Sequence, residues 1–345
     1  MVPVTNFKPP FNVTRAGHIV LRVNDLSLSK AFYTEVIGLL VSDGDPDTVY
    51  LRGVEESCHH SLVLKATSGE PTCERIGFRV FLDEDLDKAA EYFAGIGRDC
   101  RFVDIPHQGR TLHVSDGVGM PVELVASMPR LRRVHDQYHI HRGAGALRMD
   151  HFQVAVPDAA AAAAFYTGLG FRISDYFVDK EGDTDPLGIF LYKKNNPHDI
   201  VFLTRPGPVL HHFGYIVPGA SNLFQALDVS NALGFNNVLE RGPGRHGEGH
   251  SLYVYLRDPD GHRVEILPPP YQTGDIDDEP IGWHRGNRHS WDPPPPRSWL
   301  YEITKFEGVA IQPCHKGHGL LSLEDFLAKR PLLAGRTVWP ESLDE

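Results

Sequence analysis

The feature that most constrains this chain is an internal repeat. Residues 18–34 read HIVLRVNDLSLSKAFYT and residues 151–167 read HFQVAVPDAAAAAAFYT, so matching residue types recur 133 positions later without a gap. Two shorter matches follow, because residues 75–80 resemble 212–217 and residues 119–124 resemble 261–266. A repeat on this scale indicates two halves of similar structure.

Each half begins with the pattern of a strand followed by a helix. Alternating apolar residues come first, and Asp25 or Asp158 then stands where a helix N-cap is expected. Short apolar runs follow at 49–51 and 62–64 in the first half, and at 189–192 and 200–203 in the second. These runs predict strands joined by turns. The sequence therefore predicts an α+β fold of four βαβββ units in two domains.

The domain boundaries follow from the repeat and from a basic segment between its copies. We place the first domain, with its linker Arg130 to Arg142, at residues 1–142. The second domain then covers residues 143–300, and residues 301–345 form a C-terminal tail. Domains of this size can each bury a hydrophobic core.

Composition argues against several classes of partner. The formal net charge is -11 and the calculated pI is about 5.9, whereas proteins that bind nucleic acid usually carry clustered positive charge. The four cysteines are scattered without a C-x-x-C pair, which is typical of a reducing compartment. The N-terminus has no signal-peptide pattern, and no apolar run reaches the ~18 residues of a membrane span. We therefore expect a cytoplasmic protein without nucleic-acid or membrane partners.

Alignment of the two halves locates a candidate metal site. Three aligned positions carry His18, Arg75 and Glu123 in the first half, and His151, His212 and Glu265 in the second. A guanidinium is always charged and has no lone pair to donate, so only the second triplet can chelate a divalent ion. Two imidazoles and one carboxylate with open coordination positions form the facial triad of non-haem Fe(II) oxygen chemistry. The alternative is that these are strand residues facing solvent.

Motifs in the second half resemble a known family. They are RPGPVLHH at 205–212, ERGPGRHG at 240–247, YLRDPDGHRVE at 255–265, YQT at 271–273, DEPI at 278–281 and PRSW at 296–299. With them the chain resembles the two-domain type I extradiol ring-cleaving dioxygenases of the vicinal-oxygen-chelate superfamily, most closely the homoprotocatechuate 2,3-dioxygenase branch. In the first half the likeness rests on architecture. It implies that each domain is a curled, barrel-like mixed sheet with helices outside.

The resemblance implies roles for individual residues. It makes the second triplet a mononuclear Fe(II) site, with Mn(II) used by some relatives. His198 matches the family's acid/base histidine, and His246 and Tyr255 match groups that position the catecholate. A neutral imidazole is suited to take the catechol proton and return it later. From the residues alone, His198 could instead lie in a surface turn, His246 in a loop and Tyr255 on a solvent-facing strand. We expect His211 and His262 to be bystanders.

The resemblance also implies substrate contacts. Arg241 and Arg288 match arginines that neutralise a carboxylate on the substrate side chain, and Arg297 is either an alternative to Arg288 or an anchor for the tail. Each arginine could instead be a solvated surface charge. Phe190 stands where close relatives have tryptophan, which keeps an apolar wall but removes an N–H donor. We further expect a homotetramer, and a tail, including Phe306 and the segment Leu320 to Leu333, that closes over the site.

The expected reaction is extradiol (meta) cleavage of a catechol by O2 to a muconic semialdehyde, in aromatic catabolism. Alternatives on the same scaffold are a glyoxalase-type isomerase, a metal-dependent glutathione transferase and a drug-binding module without catalysis. The two enzymes place their metal with another ligand pattern and have no need of His198 and Tyr255. A binding module needs no open metal site, so the intact triplet argues against it.

Overall fold

The computed structural model describes residues 1–284, 287, 290, 291, 293 and 295–314, without the side chains of residues 300 and 301. The first half consists of β1 (Val13–Val23), α1 (Leu26–Ala31, continued by a π-helical turn at Phe32–Ile37), β2 (Leu40–Gly44), β3 (Thr48–Arg52), β4 (Leu62–Ala66), β5 (Cys73–Val80), α2 (Asp83–Gly95), β6 (Cys100–Val103), β7 (Thr111–Ser115) and β8 (Pro121–Val125). The second half consists of β9 (Arg148–Val156), α3 (Ala159–Gly168), β10 (Arg172–Phe177), β11 (Gly188–Tyr192), β12 (Ile200–Thr204), β13 (Val209–Ile216), α4 (Ala220–Ala232), β14 (Leu239–Arg245), β15 (Leu252–Arg257), β16 (Arg263–Leu267), β17 (Ile281–Trp283), α5 (Ser298–Tyr301) and β18 (Thr304–Lys305).

The strands form two sheets with the same internal order. The first sheet runs β2-β3-β4-β1-β5-β8-β7-β6, and the second runs β10-β11-β12-β9-β13-β16-β15-β14, with β17 beside β10 and β18 beside β13. In both sheets the first strands of the two units pair antiparallel, β1 with β5 and β9 with β13. Both sheets are curled and contain parallel and antiparallel pairs. The predicted α+β class and the four βαβββ units are confirmed.

Local signals in the sequence explain where the repeated elements begin. The side chain of Asp25 accepts a hydrogen bond from the backbone N–H of Leu28 at 2.9 Å, and Asp158 accepts one from Ala161 at 3.0 Å. Each aspartate thereby satisfies a backbone donor that the first turn of a helix leaves unpaired. The four predicted apolar runs fall within β3, β4, β11 and β12. Period and capping therefore predict the repeat unit correctly.

The two halves are joined through a reciprocal pair of buried hydrogen bonds. Tyr33 of α1's continuation donates to Asp258 at 2.9 Å, and Tyr166 of α3 donates to Asp116 at 2.8 Å. The tyrosines are repeat equivalents, and each aspartate lies in the turn before the last strand of its own half's second unit. Each half thus holds a turn of the other, and apolar side chains of both halves form one continuous core. Among the described residues, no helix combines the length and apolar character needed to cross a membrane.

Removal of either tyrosine hydroxyl should weaken the union of the two halves. Burial raises the pKa of Asp116 to about 6, so this carboxyl is mostly ionised at pH 7 and depends on its donors. Tyr166→Phe removes one donor and should lower the free energy of unfolding by about 1–3 kcal/mol, and Tyr33→Phe should act similarly. Denaturant unfolding measures the loss. Tyr138→Phe is the control because that side chain is 80% exposed, and an equal loss there would contradict the prediction.

Candidate metal centre

Three neighbouring strands bring the second triplet together. His151 lies on β9, His212 on β13 and Glu265 on β16, and β13 pairs with both of the other strands. The two Nε2 atoms are 3.1 Å apart, and each is 3.1 Å from Oε2 of the glutamate. All three side chains are buried. This triangle fits one divalent ion, because ligands about 2 Å from a common centre are separated by about 3 Å.

A glycine makes room for the first imidazole. Gly214 lies opposite His151 in the β9–β13 register, and a Cβ atom at Gly214 would come within 2.4 Å of the His151 ring. Gly77 has the same relation to His18 in the first half, where the distance would be 2.1 Å. The close approach therefore requires glycine at both positions. The repeat contains this signal, since residues 77 and 214 align.

Hydrogen bonds fix the two imidazoles from behind. Nδ1 of His151 donates to Asp150 at 2.9 Å, and Nδ1 of His212 lies 2.8 Å from Nδ1 of His211. A register shift between Leu210 and His212 allows the consecutive histidines to approach the same region. Such outer partners set the ring orientation and tautomer of a metal ligand. The prediction that His211 is a bystander is therefore wrong, whereas His262 bonds Thr304 and the backbone of Arg22, remote from the triplet.

The electrostatics of the triplet favour a bound cation. Burial would raise the pKa of Glu265, but hydrogen bonds from His151 and His212 hold it well below its usual range. Burial lowers the pKa of His212 to about 4, so that imidazole is neutral at pH 7. Burial also acts to lower the pKa of His151, but Asp150 and Glu265 overcome it and raise this pKa to about 9. A metal ligand must be deprotonated, so a metal ion at the triplet would compete with the proton that these carboxylates stabilise on His151.

The predicted acid/base and positioning residues surround the triplet. His198 is buried, with its ring 4.2 Å from that of His151 and 5.6 Å from that of Phe190. Nε2 of His246 lies 2.8 Å from the hydroxyl of Tyr255, whose ring is 5.0 Å from that of His212. His198 therefore does not lie in a surface turn, and Tyr255 does not face solvent.

A cavity of about 250 Å³ opens beside these groups. Its lining includes Phe190 and Arg241, and the Arg241 guanidinium lies 4.8 Å from the centre of the Trp299 ring. Sequence reasoning missed Gln153 and the buried Glu248, which also line it. No motif signalled them, because their position in the cavity depends on how the sheet curls.

The structure does not place the predicted substrate contact Arg297 or the predicted lid residue Phe306 at the cavity in the way that it places Arg241. Arg297 is exposed, precedes α5 and does not line the cavity. Arg288 and the segment Leu320 to Leu333 lie outside the described residues. Phe306 is buried, and its backbone forms an isolated β-bridge with the backbone of Cys73 in the first half, so Phe306 packs on that half. Trp299 and Ile303, which precede it, do line the cavity.

Comparison with known proteins places this architecture in a family. Residues 15–116 and 148–266 match the profile of the Glyoxalase/Bleomycin resistance protein/Dioxygenase superfamily. The chain belongs to this superfamily. The matched ranges cover both halves and contain all three residues of the second triplet.

Its relatives are extradiol dioxygenases, as the motifs predicted. The manganese-dependent 2,3-dihydroxybiphenyl 1,2-dioxygenase of Geobacillus genomosp. 3 is 25% identical over 79% of this chain and 90% of its own length. Metapyrocatechase of Pseudomonas sp. (strain CF600) is 27% identical over 79% and 91%. Among solved structures, this chain resembles homoprotocatechuate 2,3-dioxygenase from Brevibacterium fuscum in an anaerobic complex with 3,4-dihydroxyphenylacetate, with a TM-score of 0.83 and 33% sequence identity. The match covers 90% of this chain and 99% of the Brevibacterium chain. This protein is an extradiol dioxygenase of the superfamily.

In the first half of the dioxygenase, the position equivalent to the second triplet is occupied by a hydrogen-bonded cluster. Glu123 accepts hydrogen bonds from His18 at 2.6 Å, from His113 at 2.7 Å and from Gln108 at 2.8 Å. Arg75 occupies the position that aligns with His212. N–H donors thus occupy both carboxylate oxygens that a metal ion would otherwise use.

A second group of potential ligands lies elsewhere in the first half. Asp43, His59 and His107 have ligand atoms within 4.8 Å of one another. The two imidazole rings are stacked, however, with centroids 4.0 Å apart and planes inclined by only 3°. An imidazole lone pair lies in the plane of its ring, and one ion cannot lie in two separated parallel planes. In this arrangement the group does not form a metal site.

Proposed function

We propose that this dioxygenase cleaves a catecholic ring by extradiol (meta) addition of O2 at a mononuclear Fe(II) site, giving a muconic semialdehyde. The proposed ligands are His151, His212 and Glu265. The observation that carries the proposal is the buried triangle of ligand atoms beside a cavity that also contains His198. Two imidazoles and a carboxylate leave open positions for a chelating substrate and for O2.

The protein's own groups support proton transfer at this site. When bound, the metal ion would supply chelation of both catecholate oxygens and a position for O2 beside the ring. Burial lowers the pKa of His198 well below its usual value, and neighbouring His151 adds to this effect. The imidazole is therefore neutral at pH 7, which is the protonation state that can accept a catechol proton and return it at a later step.

His246 and Tyr255 are two further polar residues in the lining of the proposed site. Burial raises the pKa of Tyr255 well above its usual value, and the charge of Glu265 adds to the shift. The phenol therefore keeps its proton and can donate a hydrogen bond. Its bond with His246, and the stacking of His246 on Tyr253 with centroids 3.9 Å apart, hold both polar groups toward the cavity. We propose that this pair orients the bound catecholate.

The cavity supports a catechol with an acidic side chain as substrate. Arg241 lines the cavity, and its side chain is held by a 3.0 Å bond to the Pro293 carbonyl and by the Trp299 ring. A guanidinium fixed in this way is a natural partner for a carboxylate. Phe190 provides an apolar wall. The related Brevibacterium enzyme was crystallised with 3,4-dihydroxyphenylacetate, which has this chemistry.

The ligand set is compatible with Mn(II) as well as Fe(II), and one relative is manganese-dependent. A homotetramer stays a prediction from the family resemblance. The cytoplasmic location, predicted from composition and the N-terminus, and the tail that closes over the site also stay predictions. Truncation after Gln312 tests the tail, because a lid requires that its loss alter the rate.

Reconstitution of the full chain tests the proposed function. Protein treated with a chelator is loaded anaerobically with Fe(II) or Mn(II) and offered catechol, 2,3-dihydroxybiphenyl and 3,4-dihydroxyphenylacetate before O2 is added. We expect O2 consumption and a yellow ring-fission product only with metal, and the highest kcat/KM with the carboxylate-bearing catechol. Absence of product from every catechol with either metal would refute ring cleavage. A preference for 2,3-dihydroxybiphenyl would refute only the acidic side chain.

A further inference from the structure

The loop between β11 and β12 delivers His198 to the metal centre. β12 runs parallel to β9, and their ladder begins at Ile200 paired with Phe152. Asp150, His151 and His198 therefore lie just before the ladder, at whose start the backbone N–H of Phe152 donates to the carbonyl of Asp199 at 3.0 Å. Backbone carbonyls buried at such a point need other hydrogen-bond donors.

Lys194 supplies donors at this point. Its ammonium lies 2.6 Å from the carbonyl oxygen of Asp150, 2.8 Å from that of His198 and 2.8 Å from Oδ1 of Asp199. An ammonium has three protons, and three oxygens accept them here. One of these oxygens belongs to the residue before a proposed metal ligand, and another belongs to the proposed acid/base residue itself.

The charges around the ammonium explain why this position needs a cation. Asp150 and Asp199 are both fully buried, and Lys194 is paired with both, at 3.8 Å from the carboxylate of Asp150. Removal of the cation would leave two buried carboxylates with less compensation, which is costly in a dry interior.

The same loop is anchored to the first half of the protein. Asp199 accepts a hydrogen bond from the backbone N–H of Ala16 on β1 at 2.6 Å. Its other oxygen accepts from the backbone N–H groups of Lys193 and Lys194, at 2.7 and 3.2 Å. The ammonium of Lys194 therefore joins β9 to the loop that carries His198. Through Asp199 it is also connected to β1 of the first half.

We infer that Lys194 is a positioning residue that fixes His198 relative to the metal ligand His151, and that it acts on turnover through His198. The inference rests on the role proposed for His198. Its expected signature is a lower kcat with little change in KM or in metal content, because Lys194 touches neither the cavity nor the ligand atoms. Misplacement of a reacting group by about 1 Å can cost about 100-fold in rate.

Lys194→Met tests the inference because it keeps the apolar stem and removes the ammonium. We expect kcat to fall by about 10–100-fold, with KM for the catechol and metal content within about threefold of the parent. Lys194→Arg keeps the charge and the fold, but its planar guanidinium does not direct three protons to converging oxygens. We expect it to lower kcat by about tenfold.

Lys193→Met is the matched control. The Lys193 ammonium is also half-buried and donates to a carbonyl, that of Gly170 at 3.0 Å, but it lies 5.8 Å from the centroid of the Phe171 ring instead of at the His198 carbonyl. Its kcat should stay close to that of the parent. An equal fall in Lys193→Met, or parallel losses of metal and kcat in Lys194→Met, would show a general structural effect and overturn the inference.

A double-mutant cycle with His198→Asn isolates the pathway of the effect. If Lys194 acts through His198, Lys194→Met should change kcat by less than about threefold in the His198→Asn background. The same loss in both backgrounds would exclude the proposed coupling.

Crystal structures of the Lys194 and Lys193 variants provide a readout that needs no turnover. The distance between the His151 and His198 ring centroids is 4.2 Å in the parent and should change only when Lys194 is replaced. If this distance is unchanged in Lys194→Met, the inference about Lys194 is overturned, whether or not the protein cleaves a catechol. If the parent protein cleaves no catechol, it is the proposed function that fails.

Discussion

His212→Ala is expected to lose the metal ion and, with it, ring cleavage. The variant removes one corner of a triangle whose three sides are 3.1 Å, leaving one imidazole and one carboxylate. Removal of an outer hydrogen-bond partner of a metal ligand costs about 10–100-fold, so loss of a ligand should weaken binding by more than that. Metal analysis after dialysis should find almost no bound ion, and no ring-fission product should form.

Arg75→Ala is the control for this variant. Arg75 occupies the position in the first half that aligns with His212, and both lie on the first strand of the second unit of their own half. Metal content and turnover should match those of the parent protein. If His212→Ala kept a full complement of metal, or if Arg75→Ala lost it, the assignment of the site to the second half would be wrong.

His198→Asn is expected to keep the metal ion but slow the chemistry. Asparagine preserves much of the side-chain volume, yet it cannot take up or return a proton near pH 7. General acid–base groups contribute about 100- to 10,000-fold, so kcat should fall within that range. Metal content and anaerobic binding of the catechol should change little, because His198 belongs to neither the triplet nor its hydrogen-bond partners.

His60→Asn provides the matched control for His198→Asn. His60 lies two residues before β4, as His198 lies two residues before β12, and burial lowers its pKa well below the usual value as well. It belongs to the first half, so its replacement should leave kcat per folded molecule nearly unchanged. A normal kcat in His198→Asn would show that another group transfers the proton, without affecting the assignment of the metal ligands.

Much of the fold follows from local patterns in the sequence. The repeat, the alternation of apolar residues and the capping aspartates predicted the βαβββ units, and the structure contains them. The strand runs were found because side chains alternate between two faces of a sheet. The roles of Asp25 and Asp158 as helix N-caps could be predicted because the N-terminus of a helix leaves backbone N–H groups unpaired whatever the tertiary context.

The candidate ligands could also be selected from the sequence, for a reason specific to repeats. Aligned positions occupy equivalent places in the two sheets, so the exchange of His212 for Arg75 is sufficient to distinguish the two halves. His211 was misjudged because the register shift beside it depends on how β9 and β13 pair. Lys194 and Glu248 carried no signal at all, since their surroundings come from segments distant in the chain.

The sequence by itself determined the repeat unit, the number of units and the triplet capable of binding a metal, because these depend on residue type and spacing within one unit. Only the tertiary structure decided that the ligand atoms approach to 3.1 Å, that His198 is buried beside them and that Lys194 joins their two backbones. These features arise where the sheet curls and the halves exchange contacts through Tyr33 and Tyr166. Distances between separate strands and loops are set by that closure, and no local period in the chain encodes them.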